Sequence, residues 1–319
     1  MADWVRSKKI ATKRIKMDLF KEIQKAQKQL EGVVQTTPLA ENLNLSTAYQ
    51  ARVFLKREDL QLVRSYKIRG AYNKISTLSE EDKAKEIVCA SAGNHAQGVA
   101  YSCQLLGING RIYMPKTTPK QKIKQVQLFG KEFVEIVLTG DTFDDTYRSA
   151  RQYAEDKEKI FVHPFDDMKV IAGQGTVGLE ILNTLTIPID YVFIPIGGGG
   201  LASGLSTVFK QLSPQTKIIG VEPSGAAAMK NSISFGYNTP LDTIDKFVDG
   251  AAVKQVGDLT FEICKKNLDD IVLVPEGKIC TIILRLYNEE AMVVEPAGAL
   301  TIGALDFYKE QIRGKTVVC

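Results

Sequence analysis

The residue with most chemistry to offer is a lysine set between an aromatic ring and the start of an apolar helix. It is Lys67, in Ser65-Tyr66-Lys67-Ile68-Arg69-Gly70-Ala71, with strand-like Val53-Phe54-Leu55 upstream and helix-like Ala71-Tyr72-Asn73-Lys74-Ile75 downstream. A lysine held still and partly desolvated there loses hydration of its ammonium, which lowers its pKa. An amine that is neutral part of the time can form a Schiff base. Most lysines are simply solvated, so the reading depends on what accompanies this one.

Three other stretches could carry chemistry. Ser91-Ala92-Gly93-Asn94-His95 lies between a strand and a helix beginning near Ala96. Backbone N–H groups at a helix start suit a carboxylate or phosphate, and Asn94 adds an amide; a plain turn with an Asn cap is the competing reading. Gly197-Gly198-Gly199-Gly200-Leu201 follows a continuous apolar run. Four glycines cost backbone entropy and make sense where the chain must approach a ligand closely. Their N–H groups, aimed by the following helix, make a phosphate cradle. No Gly-Lys-Ser/Thr ending is present, which disfavours a nucleoside triphosphatase loop. In Val294-Glu295-Pro296-Ala297-Gly298-Ala299, Glu295 sits in apolar company; buried, it would need a partner and could face a site, while an ordinary helix N-terminal acid explains it equally well. Asp249-Gly250 is a similar, weaker candidate.

The elements that position these stretches alternate. Asp18 to Glu31 reads as an amphipathic helix capped by Asp18 and ended near Gly32. Strands are expected at 52–56, 86–90, 111–114, 133–138, 160–162, 191–196 and 217–221, and helices at 96–106, 145–157, 173–185 and 201–212. The run Tyr191–Ile196 suits a strand buried on both faces. Repeated strand-helix-strand units predict an α/β protein with parallel sheets covered by helices.

The composition is that of a globular chain long enough for two cores, with 319 residues, 44% hydrophobic and 24% charged. The net charge is only +4, and its one basic cluster is Arg6, Lys8, Lys9, Lys13, Arg14 and Lys16. That cluster reads as a solvated arm, with an organelle address as the minor option, and nucleic acid is not an expected partner. No run of about 18 apolar residues predicts a membrane span. The five cysteines (89, 103, 264, 280 and 319) show no Cys-x-x-Cys, so free thiols in a reducing, cytoplasmic setting are expected. With only His95 and His163 beside them, no metal site is expected.

Three functions fit the residues. Gly197, Gly199 and Ala202 match G-x-G-x-x-A after a strand, with Glu222 about 20 residues on where a ribose-binding acid belongs. That reading leaves Lys67 and the Asn94 loop unused. A lysine Schiff base, a phosphate cradle and an anion-binding loop are together what pyridoxal phosphate acting on an amino acid needs. A non-catalytic amino-acid-binding domain would need no reactive lysine.

Lys56-Arg57-Glu58-Asp59, Ser65–Ala71, Ser91–Gly98, Ala172-Gly173-Gln174-Gly175-Thr176 and Gly197–Leu201, in this order, resemble the threonine dehydratases (threonine ammonia-lyases) of the tryptophan-synthase-β-like, fold type II, pyridoxal-phosphate enzymes. The resemblance runs from about Thr37 to Cys319. It implies two α/β domains with cofactor and substrate in the cleft between them. We expect a discontinuous large domain over 1–78 and 161–319 and a small one over 79–160. By the resemblance, Lys67 is the Schiff-base lysine and base, and Tyr66, usually Phe in the family, packs beside the cofactor ring. Asn94 bonds the cofactor's 3′ oxygen, and Ser91, Ala92, Gly93, Asn94 and His95 hold the substrate carboxylate. Gly197, Gly198, Gly199, Gly200 and Leu201 hold the phosphate, and Glu295 is added as a cofactor neighbour. The implied reaction is β-elimination from L-threonine, with L-serine second, by a cytoplasmic homodimer or homotetramer.

Departures from related patterns refine this. Serine racemases carry a second serine where this chain has Ala92, which disfavours racemisation. Metal-binding relatives have a second acid after Val-Glu-Pro, where Ala226, Ala227 and Ala228 stand here. Asp249-Gly250-Ala251-Ala252-Val253-Lys254 and the Lys-Arg-Glu-Asp segment resemble the biosynthetic, isoleucine-pathway branch. That branch carries a C-terminal regulatory domain, and the family has a Ser-Gly-Gly-Asn-like turn after its final strand; neither is expected within these residues.

Overall fold

A computed structural model describes residues 18–319, so the basic cluster at 6–16 lies outside the described residues. The chain divides into two compact units. One comprises Thr36–Arg57 and Gly175–Cys319 with the described residues up to Gln24; the other comprises Lys25–Gln35 and Glu58–Gln174.

The first helix among the described residues, α1 (Leu19–Gln29), starts where Asp18 accepts from the Lys21 amide at 3.3 Å. The larger unit is built on a six-stranded sheet. In chain order its strands are β1 (Leu39–Glu41), β2 (Arg52–Lys56), β7 (Tyr191–Pro195), β8 (Lys217–Pro223), β9 (Asp270–Val274) and β10 (Thr316–Val318), and in space β1-β2-β10-β7-β8-β9. Only β1 is antiparallel to its neighbour. β10 is three residues long yet central, pairing Val317 with Val53 on one side and Tyr191 on the other. Val192, Phe193 and Ile194 of β7 are buried, as expected for a strand covered on both faces. Val53, Leu55, Phe193, Val221, Leu300 and Val317 are among the side chains of its main core. Helices α2 (Leu43–Tyr49), α9 (Gly200–Leu212), α10 (Ala228–Phe235), α11 (Asp258–Asn267), α12 (Glu276–Glu290) and α13 (Pro296–Ala304) complete the unit.

The smaller unit has a four-stranded parallel sheet, ordered β5 (Val134–Leu138), β4 (Gly110–Met114), β3 (Ile87–Ala90), β6 (Ile160–Phe161). All four residues of β3 are buried, and they alternate between two clusters. Ile87 and Cys89 join Val99, Cys103, Ile112 and Met114, whereas Val88 and Ala90 join Tyr113, Ala150 and Ala154. Its helices are α3 (Lys67–Ser76), α4 (Glu80–Lys83), α5 (Asn94–Leu106), α6 (Lys120–Gly130) and α7 (Phe143–Asp156); α8 (Met168–Thr184) contributes its first turns.

This division differs from the expected one at residues 25–35, 58–78 and 161–174, which group with the smaller unit. Ala71 and Ile75 of α3, with Val162 and Val170, are buried in the same cluster as β3 and α5, which draws the lysine segment into that unit. Two helices also begin earlier than their apolar periodicity suggested, α5 at Asn94 and α8 at Met168. The opening turn of α5 is polar, so its periodicity starts late. All five cysteines are free: Cys89, Cys103 and Cys264 are buried and Cys280 is exposed.

Candidate active site

Lys67 is the first residue of α3 and is partly buried. Its Nζ donates to the Pro164 carbonyl at 3.1 Å and lies 5.5 Å from the centre of the Tyr66 ring. The start of a helix disfavours a cation, while the carbonyl and the ring face favour one. The amine is thus held by contacts it can leave.

The surrounding motifs explain how it is held. Arg69, two residues on, is wholly buried and forms a bidentate pair with Glu58, both contacts at 2.8 Å. That geometry compensates a buried guanidinium. Lys56 pairs with Glu180 at 2.6 Å and donates to the Thr37 carbonyl at 2.8 Å. The Lys-Arg-Glu-Asp stretch therefore contributes positioning ion pairs. Gly70 and Gly173 let α3 and α8 touch backbone to backbone: a Cβ on Gly70 would meet the Val170 carbonyl at 2.7 Å, and one on Gly173 the Arg69 carbonyl at 2.4 Å. Gly98 does the same for α5, where a Cβ would sit 3.1 Å from the Lys67 carbonyl group.

Asn94 opens α5 behind Gly93, so the N–H groups of its first turn have no acceptor within the helix. Ser91 Oγ accepts from the Gly93 amide at 3.2 Å, and a Cβ on Gly93 would meet nothing within 4 Å. The loop is open where a carboxylate could approach. Ala92 is partly buried and packs against the cluster that holds Ile87, Cys89 and Val99. The His95 side chain is buried at 3% exposure, and its Nε2 donates to the Val162 carbonyl at 3.1 Å. Only its backbone is left for a substrate. Burial pushes this imidazole down to about 3, with the Lys67 charge acting in the same direction.

In the larger unit the glycine turn joins β7 to α9. Gly199 has φ +91°, a left-handed conformation that glycine tolerates. A Cβ there would meet Met229 Cε and Thr260 Cβ at 2.8 Å, and one on Gly197 would meet Ala251 Cα at 3.0 Å. Thr260 Oγ1 donates to the Gly198 carbonyl at 2.7 Å, and the Ser203 amide to the Gly199 carbonyl at 2.9 Å. The carbonyls of the turn are thus engaged, and the amides from Gly200 onward lie in a first helical turn without internal acceptors. This is an anion cradle of the kind a phosphate ester fits. A partly buried ε-amine that donates to a backbone carbonyl and a glycine cradle both suit pyridoxal phosphate.

Two acids bear on the sequence reading. Glu295 is exposed, at the N-cap of α13, so it is no buried carboxylate in need of a partner; its Oε1 would be 3.1 Å from a Cβ on Gly250. Its place is that of the ordinary helix N-terminal acid, one of the two readings the sequence offered. Glu222 is wholly buried, and its two oxygens accept from the Met229 and Lys230 amides at 2.7 and 2.9 Å. A ribose would find neither oxygen free, which weakens the dinucleotide reading. Among the described residues no group of three or more His, Cys, Asp and Glu could hold a metal ion. No helix among them is long and apolar enough to cross a membrane.

Sequence reasoning missed the Pro164 and Val162 carbonyls, the Arg69–Glu58 pair and Thr260. Carbonyls carry no residue-type signal. The polar turn His163-Pro164-Phe165-Asp166 directly after a strand was the one available cue.

Comparison with known proteins agrees with this arrangement. The pyridoxal-phosphate dependent enzyme family matches residues 30–319. The biosynthetic L-threonine dehydratase of Halalkalibacterium halodurans is 60% identical over 294 residues, covering 92% of this chain and 71% of the relative. That of Bacillus subtilis is 57% identical over 299 residues, covering 94% and 71%. The solved processed form of threonine deaminase isoform 2 from Solanum lycopersicum superposes with a TM-score of 0.90 at 42% identity, covering 94% of this chain and 87% of that one. A serine racemase from Dictyostelium discoideum follows at 0.85 and 31%, covering 94% and 95%. The tryptophan-synthase-β-like architecture read from the motifs is therefore the one this chain has, and the chain belongs to the pyridoxal-phosphate dependent enzymes, in the family of the biosynthetic L-threonine dehydratases.

Proposed function

We propose that this protein catalyses the pyridoxal-phosphate-dependent β-elimination of L-threonine, and of L-serine second, to 2-oxobutanoate or pyruvate and ammonia, in isoleucine biosynthesis. The observation that carries the reading is Lys67, a partly buried lysine at a helix start whose ε-amine meets a backbone carbonyl and an aromatic face.

When bound, pyridoxal phosphate supplies an electron sink for the charge left at the substrate's α-carbon. Lys67 anchors the cofactor through its ε-amine, and Tyr66 flanks the ring. With its amine free, Lys67 would take the α-proton. Asn94 orients the cofactor's 3′ oxygen, and the Ser91–His95 backbone holds the substrate carboxylate, which fixes which α-bond faces Lys67. The Gly197–Leu201 amides bind the phosphate, with Glu295 near the cofactor. The β-hydroxyl would leave as water with one proton, the net equivalent of the α-proton that Lys67 takes, and the released enamine would tautomerise and hydrolyse to oxo-acid and ammonia. Because Ala92 offers no acid or base on the face opposite Lys67, the α-carbon is not reprotonated from that side. We further place the protein in the cytoplasm as a homodimer or homotetramer, supported by exposed apolar Leu284, Tyr287 and Val293.

The test is a spectrum and an assay. Purified protein should absorb at the visible edge, borohydride should fix the cofactor to Lys67, and L-threonine should yield 2-oxobutanoate. Colourless protein that binds a nicotinamide dinucleotide instead would overturn the reading.

A further inference from the structure

We propose that His95 is a positioning residue for Lys67: its ring N–H holds the Val162 carbonyl and thereby places the Pro164 carbonyl on which the lysine's amine rests. The inference rests on reading Lys67 as the reactive lysine and goes beyond it by naming what sets that lysine's resting place.

A carbonyl only accepts, so the 3.1 Å contact between His95 Nε2 and Val162 O puts the proton on Nε2. Nδ1 then carries a lone pair, and it is buried with no partner among the described residues. Leaving a buried acceptor unmet is costly, so the ring is kept for what its other nitrogen does. Two residues beyond Val162, Pro164 O accepts from Lys67 Nζ at 3.1 Å.

The same turn is held from its far side. His163 Nδ1 accepts from the Asp166 amide at 2.8 Å and the Phe165 amide at 3.3 Å, and its ring meets Phe165 edge-on at 4.7 Å. The only two imidazoles in the chain therefore grip residues 162–166 on either side of the Pro164 carbonyl. His163 must be neutral to do so, because its Nδ1 is an acceptor. Burial, the largest cause, pushes His95 to about 3 and His163 to about 4, and the Lys67 charge presses each the same way.

His95 also adjoins Asn94 at the start of α5. One hydrogen bond thus ties the loop assigned to the substrate carboxylate to the turn that parks the amine. A base that must leave one partner, take a proton and return needs a fixed resting acceptor, because small displacements at a reacting group are expensive.

Three substitutions separate the nitrogens. His95→Leu keeps bulk without an N–H, His95→Gln places an amide N–H near the Nε2 position, and His95→Asn reaches only as far as Nδ1. The first readout is the rate at which acetic anhydride labels Lys67 in the whole chain freed of cofactor with hydroxylamine, located by peptide mass spectrometry. The second is the pH midpoint of the visible band in the chain loaded with pyridoxal phosphate. His95→Leu and His95→Asn should change the labelling rate about fivefold, the size of one lost hydrogen bond, and shift the midpoint, with His95→Gln returning both to within about twofold of the parent. Parent-rate labelling in folded His95→Leu, or equal rescue by Asn and Gln, would overturn the proposal. Should His95→Leu not fold, the Gln and Asn variants decide it alone. A parent chain that takes no cofactor on Lys67 would instead sink the functional reading, a result the labelling arm distinguishes.

Discussion

The lysine segment and the glycine turn hold the groups proposed to face the ligand by opposite means. Around Lys67 the work is done by side chains: the buried Arg69–Glu58 pair, two neutral imidazoles and an aromatic ring. Around Gly197–Leu201 it is done by backbone, with Thr260 fastening one carbonyl and no charged side chain in the turn. A group that must move during a reaction is steadied by contacts it can exchange. A group that must stay still while charge builds nearby is better served by amides fixed in a helix start, which need no reorganisation.

Removing the moving part should have the largest effect. Lys67→Ala should lower oxo-acid formation by ~10³-fold or more, since covalent catalyst and base go together. Undiminished turnover in a folded variant would end the comparison. Breaking the side-chain scaffold comes next. Glu58→Gln leaves Arg69 buried beside a neutral amide, and by the cost of breaking a buried pair should lower unfolding stability by about 3–5 kcal/mol in urea melts. A loss within error would mean the pair does not support the segment.

On the other side of the comparison, Gly199→Val puts a β-branched residue at φ +91° against Met229 and Thr260. Strain of about 1–3 kcal/mol should weaken cofactor retention roughly tenfold or more, measured by equilibrium dialysis, with Lys67 still accessible to labelling. Unchanged retention would remove the turn from the phosphate site.

A smaller effect follows from His95. Its pKa falls from 6.5 to about 3 on folding, with burial the main cause. The unfolded chain therefore takes up a proton below pH 6.5 that the folded chain refuses until about pH 3. Its contribution to stability is whole above pH 6.5 and declines by about 1.4 kcal/mol per pH unit below it. Urea midpoints at pH 7.5, 6 and 5 should show this slope, and His95→Gln should reduce it; an equal slope in both would refute the assignment. The smallest change tests the empty face. Ala92→Ser should introduce slow D-serine formation from L-serine, detected with D-amino-acid oxidase, while elimination remains dominant. No D-serine would mean that a hydroxyl at position 92 does not suffice.

Much of this was legible beforehand. The apolar run before four glycines could only be a covered strand entering a helix, and β7, Gly199 and α9 follow that order. Lys67 stood out by its neighbours, and the ordered motifs pointed to the right enzyme family. For Glu295 the sequence left a buried acid and an ordinary helix N-terminal acid open, because apolar neighbours in sequence do not say whether a helix end lies at the surface; the side chain is exposed at the N-cap. His95 was assigned to the substrate from its place in the motif, but its side chain turned inward to Val162.

The sequence by itself determined the residue types that chemistry requires and the alternation of strand and helix, because both depend on side-chain identity and local periodicity. It did not determine that β10, three residues long, lies in the middle of the larger sheet. Nor did it determine that Glu58 closes on Arg69, or that a proline carbonyl receives the lysine's amine. Those depend on partners far apart in the chain and on backbone atoms that every residue shares, so only the tertiary structure could decide them.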